Sequence, residues 1–218
     1  MEKAVGKRKR SNNTRQEILM LAKSLFEKMD YDTIQIKTIA DTMNVSKANI
    51  YYHYATKQTL FFDVYNLYYK QNIEDNLKLL SKYGDMSVKE FKEYMLRIAE
   101  NLFEHHFDML RLIKIHSITI DKGVDKEKIK NSLEDSVSSY EIFINELLKH
   151  ENFFNKKELL QIFSDRSALC IGYFYMFMEP KSIDEKFDEK EIEKRKKIYK
   201  RKVLAAYNKY LMGVLAEI

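Results

Sequence analysis

The chain has 218 residues, of which 45% are hydrophobic and 33% charged, with only 1 proline and 5 glycines. This composition supplies a core, excludes a disordered chain and favours long helices. The net charge of +5 sits wholly in residues 1–57, which hold 11 Lys/Arg against 6 Asp/Glu, whereas residues 58–218 carry 27 of each.

Residues 1–11 include Lys3, Lys7, Arg8, Lys9 and Arg10 and have no hydrophobic period. They read as a basic arm that is disordered without a partner. From about Asn13 to Met29, Ile18, Leu21, Ala22, Leu25 and Phe26 recur at three- and four-residue steps and predict the first helix. The second spans about Ile36 to Met43, with Ile36, Ile39, Ala40 and Met43 inward, and Asn44-Val45 makes a turn. Ser46 is a good N-cap for a third helix over Lys47 to Tyr54, because its hydroxyl accepts from an unpaired backbone N–H. Thr56 caps a fourth helix that continues to about Leu80, where Tyr83-Gly84-Asp85 breaks the chain.

Five further helices are predicted over about 87–105, 107–121, 125–150, 156–179 and 188–215. Ser87 caps the first, Gly123 separates the second from the third, and Pro180 stops the fourth. No strand-like alternation or repeat interrupts the pattern. The expected fold is all-α with about nine helices: an N-terminal three-helix helix-turn-helix module and a larger C-terminal helical domain. The expected division places the arm and the module at 1–57, with the helix 58–80 connecting, and the larger domain at 58–218.

Cys170 is the single cysteine, so no intrachain disulfide forms, and its apolar surroundings predict a buried reduced thiol. No apolar stretch has the length of a membrane span, and the basic start lacks the apolar segment of a secretory signal. A cytoplasmic protein without a membrane partner is the expectation.

Residues 14–61 carry a multi-point pattern at fixed spacing: Ile18, Ala22 and Phe26, then Ile39-Ala40, then Val45-Ser46-Lys47 at the turn, Ile50-Tyr51 with His53-Tyr54, and Lys57 with Leu60. In this the chain resembles the TetR family of bacterial transcriptional regulators. Three features depart from the family pattern. Asp30 stands for the usual glycine after the first helix, Gln35 occupies a position where a Ser/Thr cap is common, and Ala48-Asn49 replaces the frequent Gly-Thr. The last changes the base-reading surface, so no relative's operator carries over.

A helix fits the major groove, and residues near its N-terminus reach base edges. Lys47, Ala48, Asn49 and Tyr52 are the early, exposed positions of the third helix. Lys47 suits guanine O6/N7, Asn49 suits adenine N6/N7, and Ala48 and the Tyr52 ring suit a thymine methyl. The resemblance implies that Tyr51 and Lys57 hold phosphates. His53 either touches the DNA backbone or packs on the first helix, whereas Ile50 and Tyr54 read as core. Arg10 and the rest of the arm either follow phosphates or the minor groove, or serve as a solvated tail. The partners expected are a palindromic double-stranded operator and a second copy of the chain, since one helix reads only a few base pairs and a two-fold dimer sets two of them about 34–36 Å apart.

The last two helices are the candidates for the dimer contact. Ala168 and Gly172 allow close approach, and Leu204, Tyr207 and Leu211 lie on an apolar stripe of the final helix that alternatively belongs to the intrachain core. Two inward stripes are expected in the larger domain, Phe91, Tyr94, Ile98 and Leu102, and Leu133, Val137, Tyr140 and Ile144. By the resemblance, some of these line a pocket for a largely apolar effector, with Tyr94, Ile98, His116, Tyr140, Arg166 and Tyr173 as candidate contacts. Arg166 interrupts an apolar helix, so it either pairs with a carboxylate or meets an anionic ligand.

The function expected is a homodimeric, ligand-responsive repressor that releases its operator when the effector binds. An activator, or a carrier or adaptor that has lost DNA binding, is the alternative. A metal-dependent enzyme is disfavoured. His105, His106 and His116 lack metal-ligand spacing, and there is no H-E-x-x-H, Gly-rich phosphate loop or G-x-S-x-G motif. No catalytic residue, metal or cofactor is expected.

Overall fold

The computed structural model describes residues 2–115, 121–178, 188–216 and 218. Among them are nine α-helices and no strand: α1 (Glu2–Phe26), α2 (Ile36–Thr42), α3 (Lys47–His53), α4 (Lys57–Leu80), α5 (Val88–His105), α6 (Phe107–Ile115), α7 (Lys126–Leu147), α8 (Lys156–Met178) and α9 (Glu189–Leu215). The all-α expectation is met, with a helix-turn-helix first and a larger helical part after it.

The first helix differs from expectation at both ends. It begins at Glu2, not near Asn13, so the basic stretch is helical. The absence of a hydrophobic period removes a reason to pack, but alanine, lysine and arginine are strong helix formers and no proline stops them. Its other end falls at Phe26, three residues early. Residues 116–120, which include His116, and Pro180 lie outside the described residues, as does the side chain of Arg10.

The chain forms two compact units, residues 1–70 with 111–136, and residues 71–110 with 137–218. In the first, Ile18, Ala22, Phe26, Ile39, Ile50, Tyr54, Leu60 and Phe61 are buried. The Phe61 ring meets Phe26 and Tyr31 edge-on, with centroids 5.8 and 4.9 Å apart. This unit takes in more than the residues before 58, because polar contacts tie later segments to it. Thr56 donates to the Gly123 carbonyl (3.1 Å), Lys128 pairs with Asp63 (2.5 Å), and Ser132 donates to Asn66 (2.9 Å).

Those contacts also correct one predicted stripe. Over its first half α7 turns polar groups inward, and Leu133 and Val137 are 60% and 59% exposed. Only Ile144 of that stripe is buried, beside Phe143 and Leu147. The other stripe, Phe91, Tyr94, Ile98 and Leu102, is buried as expected.

In the second unit, α9 packs against α8 and α5. Tyr199 donates to the Cys170 carbonyl (2.8 Å), and the Lys200 ammonium bridges Glu100 and Glu104 at 2.8 and 2.7 Å. Ser87 and Glu90 form a capping box at the start of α5, which satisfies two otherwise unpaired N–H groups. Cys170 is a buried free thiol, pushed up to about 11 by burial.

Candidate nucleic-acid interface

The site is built on the turn between α2 and α3. Asn44 adopts φ 53, a left-handed conformation that asparagine tolerates better than most residues. The turn then delivers Ser46 in an extended conformation, and its hydroxyl accepts from the Asn49 N–H at 3.3 Å, the expected N-cap. Gln35, where a shorter cap residue was absent from the sequence, gives α2 no side-chain cap.

Seven residues make α3, and they divide cleanly by side. Ile50 and, just beyond the helix, Tyr54 are buried at 0% and 1% exposure and fix the helix to the unit beneath. The Arg15 guanidinium lies 5.2 Å from the centre of the Tyr54 ring and pairs with Asp63 at 2.8 Å, so α1 and α4 both hold the end of α3. Opposite, Lys47, Ala48, Asn49, Tyr51 and Tyr52 are exposed, Tyr52 at 79%. His53 is half-buried, its ring edge-on to Tyr52 with centroids 5.1 Å apart.

Lys57 does not stand free in this structure. Its ammonium donates to the Tyr31 carbonyl and lies 3.9 Å from the centre of the Tyr31 ring. Burial pulls it below the ordinary lysine range. Tyr31 was not among the residues picked out from the sequence. An aromatic residue in the segment that links the first two helices, with a lysine at the start of α4, is the only signal that pointed to the pair. Arg111 was likewise missed, and it caps the C-terminal end of α1 by donating to the Phe26 carbonyl (2.8 Å), the Met29 carbonyl (3.2 Å) and the Asp30 carboxylate (3.0 Å).

An exposed polar and aromatic helix face, held from below by two buried residues and capped at its start, can enter a groove without rearranging its support. The model for bacterial regulatory proteins of the tetR family matches residues 18–64, which contain this whole arrangement. In that segment the chain is similar to the TetR family. Among similar proteins, the HTH-type transcriptional regulator QacR of Staphylococcus aureus is 38% identical over 55 residues, covering 25% of this chain and 29% of that protein. The uncharacterized HTH-type transcriptional regulator YuxN of Bacillus subtilis is 25% identical over 142 residues, covering 64% of this chain and 45% of that protein. The matched part thus spans less than half the length of either relative.

The remaining candidate residues fall in the second unit, apart from His116. Tyr94 and Ile98 are fully buried core, the Tyr94 hydroxyl donating to the Asn76 carbonyl at 3.3 Å. Tyr140 meets the Phe163 ring edge-on with centroids 5.7 Å apart, and Arg166 lies 4.9 Å from the centre of that same ring. Tyr173 instead stacks on Phe177 one turn along α8, with centroids 5.8 Å apart. Of the dimer candidates, Ala168 and Gly172 are exposed, and a Cβ at Gly172 would meet no atom within 4 Å. Tyr207 and Leu211 are buried within the chain and are corrected to core, and Leu204 is half-buried. The stripe on α9 was real, but α5 and α8 cover most of it. Among the described residues no group of three His, Cys, Asp or Glu side chains is placed to hold a metal ion, and no helix is long and apolar enough to cross a membrane.

Proposed function

We propose that this chain is a DNA-binding transcriptional regulator that acts as a homodimer, reads a palindromic operator with α3, and releases it when a small molecule binds the C-terminal helices. The observation that carries the reading is the exposed N-terminal face of α3, Lys47, Ala48, Asn49 and Tyr52, on a helix anchored by Ile50 and Tyr54. Charge supports it, because the entire positive excess lies in residues 1–57.

Within this reading Lys47 and Asn49 donate to base edges, Tyr51 and Lys57 bind phosphates, and His53 assists them. Repression is its expected mode. Release follows from differential affinity: an effector that prefers the conformation unable to bind DNA weakens the complex by its preference for that state. A coupling of about 1–3 kcal/mol gives roughly a 5–150-fold loss of operator affinity.

Fluorescence anisotropy on the DNA upstream of the chain's own gene tests the proposal. Binding is expected to depend on sequence and to weaken steeply with salt. Asn49→Ala is expected to relax preference at one base-pair position per half-site, at a cost of about 1–3 kcal/mol there. Binding that is insensitive to salt and sequence sinks the proposal. An unchanged preference in Asn49→Ala removes Asn49 from the reading set.

A further inference from the structure

Of the polar side chains buried among the described residues, Arg166 is the one with a permanent charge. It is 8% exposed, on α8 between Phe163 and Cys170. Its Nε has no hydrogen-bond acceptor, and no Asp or Glu oxygen among the described residues forms an ion pair with it. Asp165, next in sequence, is already engaged by the Tyr210 hydroxyl (2.7 Å) and the Gln161 amide (2.8 Å). Among the described residues, the carboxylate partner that the sequence left open is therefore absent.

Two other buried polar atoms of the same unit also have no hydrogen-bond partner. Tyr207 is fully buried, and its hydroxyl has no partner. Asn76, 1% exposed, has an unpaired side-chain oxygen. Arg166 is close enough to Tyr94, Cys170 and Tyr207 to oppose the upward push that burial gives their pKa values.

A guanidinium cannot shed its proton to escape the interior, and leaving its buried Nε–H unpaired costs about 1–3 kcal/mol. Cation–π contact with Phe163 recovers only part of that. The Arg166 Nε–H and the Tyr207 O–H are donors in want of one anionic acceptor, and a carboxylate is compact, planar and matched to the guanidinium fork. We propose that Arg166 and Tyr207 are the polar end of the effector site, and that the effector is a small carboxylic acid with an apolar body. This deepens the ligand-responsive part of the function proposed above and rests on it. Arg166 holds the carboxylate, Tyr207 orients it with one hydrogen bond, and the surrounding aromatic residues take the body.

The test titrates the full chain, free of DNA, with octanoate and benzoate, and with octanol, benzyl alcohol, octylamine and inorganic phosphate as matched controls. Thermal unfolding and calorimetry are the readouts. At least one carboxylate is expected to raise Tm saturably, by about 5–10 °C at about 100 times its Kd, while the controls leave Tm unchanged. Arg166→Met is expected to unfold no lower than the wild type without ligand, because a buried charge has been replaced by an apolar side chain of similar length. It and Tyr207→Phe, which deletes only the unpaired hydroxyl, are expected to lose at least ten-fold in carboxylate affinity. The proposal is overturned if neither carboxylate shifts Tm, if the alcohols or phosphate act as well as the acids, or if Arg166→Met keeps the response. These readouts use no DNA, so a failure here leaves the DNA-binding proposal standing, and a failure of operator binding leaves this one standing.

Discussion

Under the proposed function Lys57 has two jobs that one side chain does not do at once. In this structure its ammonium is spent on the Tyr31 carbonyl and ring. A phosphate contact requires it to turn outward and give up part of that. Lys57→Met separates the two. Losing the cation–π contact and the hydrogen bond is expected to lower unfolding stability by about 1–2 kcal/mol in urea titration. Losing a phosphate contact in each half of a dimer is expected to flatten the log–log salt dependence of DNA binding by about two units. A stability loss with an unchanged salt slope makes Lys57 a structural residue only. Sequence alone did not reach this distinction, because the pattern at residues 14–61 marks where Lys57 stands and says nothing of Tyr31, whose role depends on a turn brought close by folding. Ser46 was legible for the opposite reason, since its cap is made to a residue three positions away.

At the scale of elements, the helices were legible because a 3.6-residue apolar period shows in any amphipathic segment long enough to repeat it. What the period does not show is what lies opposite. On α7 the face turned inward over residues 128–136 is polar, so an apolar stripe extended back from Ile144 pointed Leu133 and Val137 the wrong way. Arg111 belongs to the same class of hidden feature, a long-range cap on the Phe26 carbonyl that ends α1 and on the Met29 carbonyl of the turn after it. Arg111→Met is expected to cost about 1–3 kcal/mol in chemical denaturation, because it leaves carbonyls at a helix end without their donor.

The join between α5 and α9 makes a prediction about pH. The hydrogen bond from Lys200 holds the Glu104 carboxyl below its ordinary value of 4.5. A carboxylate depressed in the folded state contributes stability that is fully present above the unfolded value and is lost as pH falls through the folded one. Tm is therefore expected to fall as pH drops below about 4.5, and Lys200→Met is expected to fall less steeply over that window because Glu104 has lost its partner. Parallel acid limbs for the two proteins count against the bridge.

For the whole molecule, charge and exposed apolar surface are separated along the chain. Residues 58–218 have no net charge, so under the proposed function a second copy would meet no net repulsion there, while the basic excess stays with residues 1–57. The exposed side of α8 bears Ala168, Gly172, Tyr175 and Met176, the last 68% exposed, and α9 exposes Met212 at 56%. With Tyr207 and Leu211 assigned to the core, this small and flexible apolar face is the part of the last two helices left for the second copy that the proposed function requires. Gly172→Arg places a long cation on it and meets no atom of its own chain nearby, so the fold is expected to persist. Light scattering is expected to show a monomer with helical circular dichroism unchanged. Operator affinity is then expected to fall by about 100- to 10,000-fold, since the second half-site no longer binds at high effective concentration. A variant that remains dimeric moves the interface off α8, and one that is monomeric yet binds the operator at full strength removes the need for a dimer.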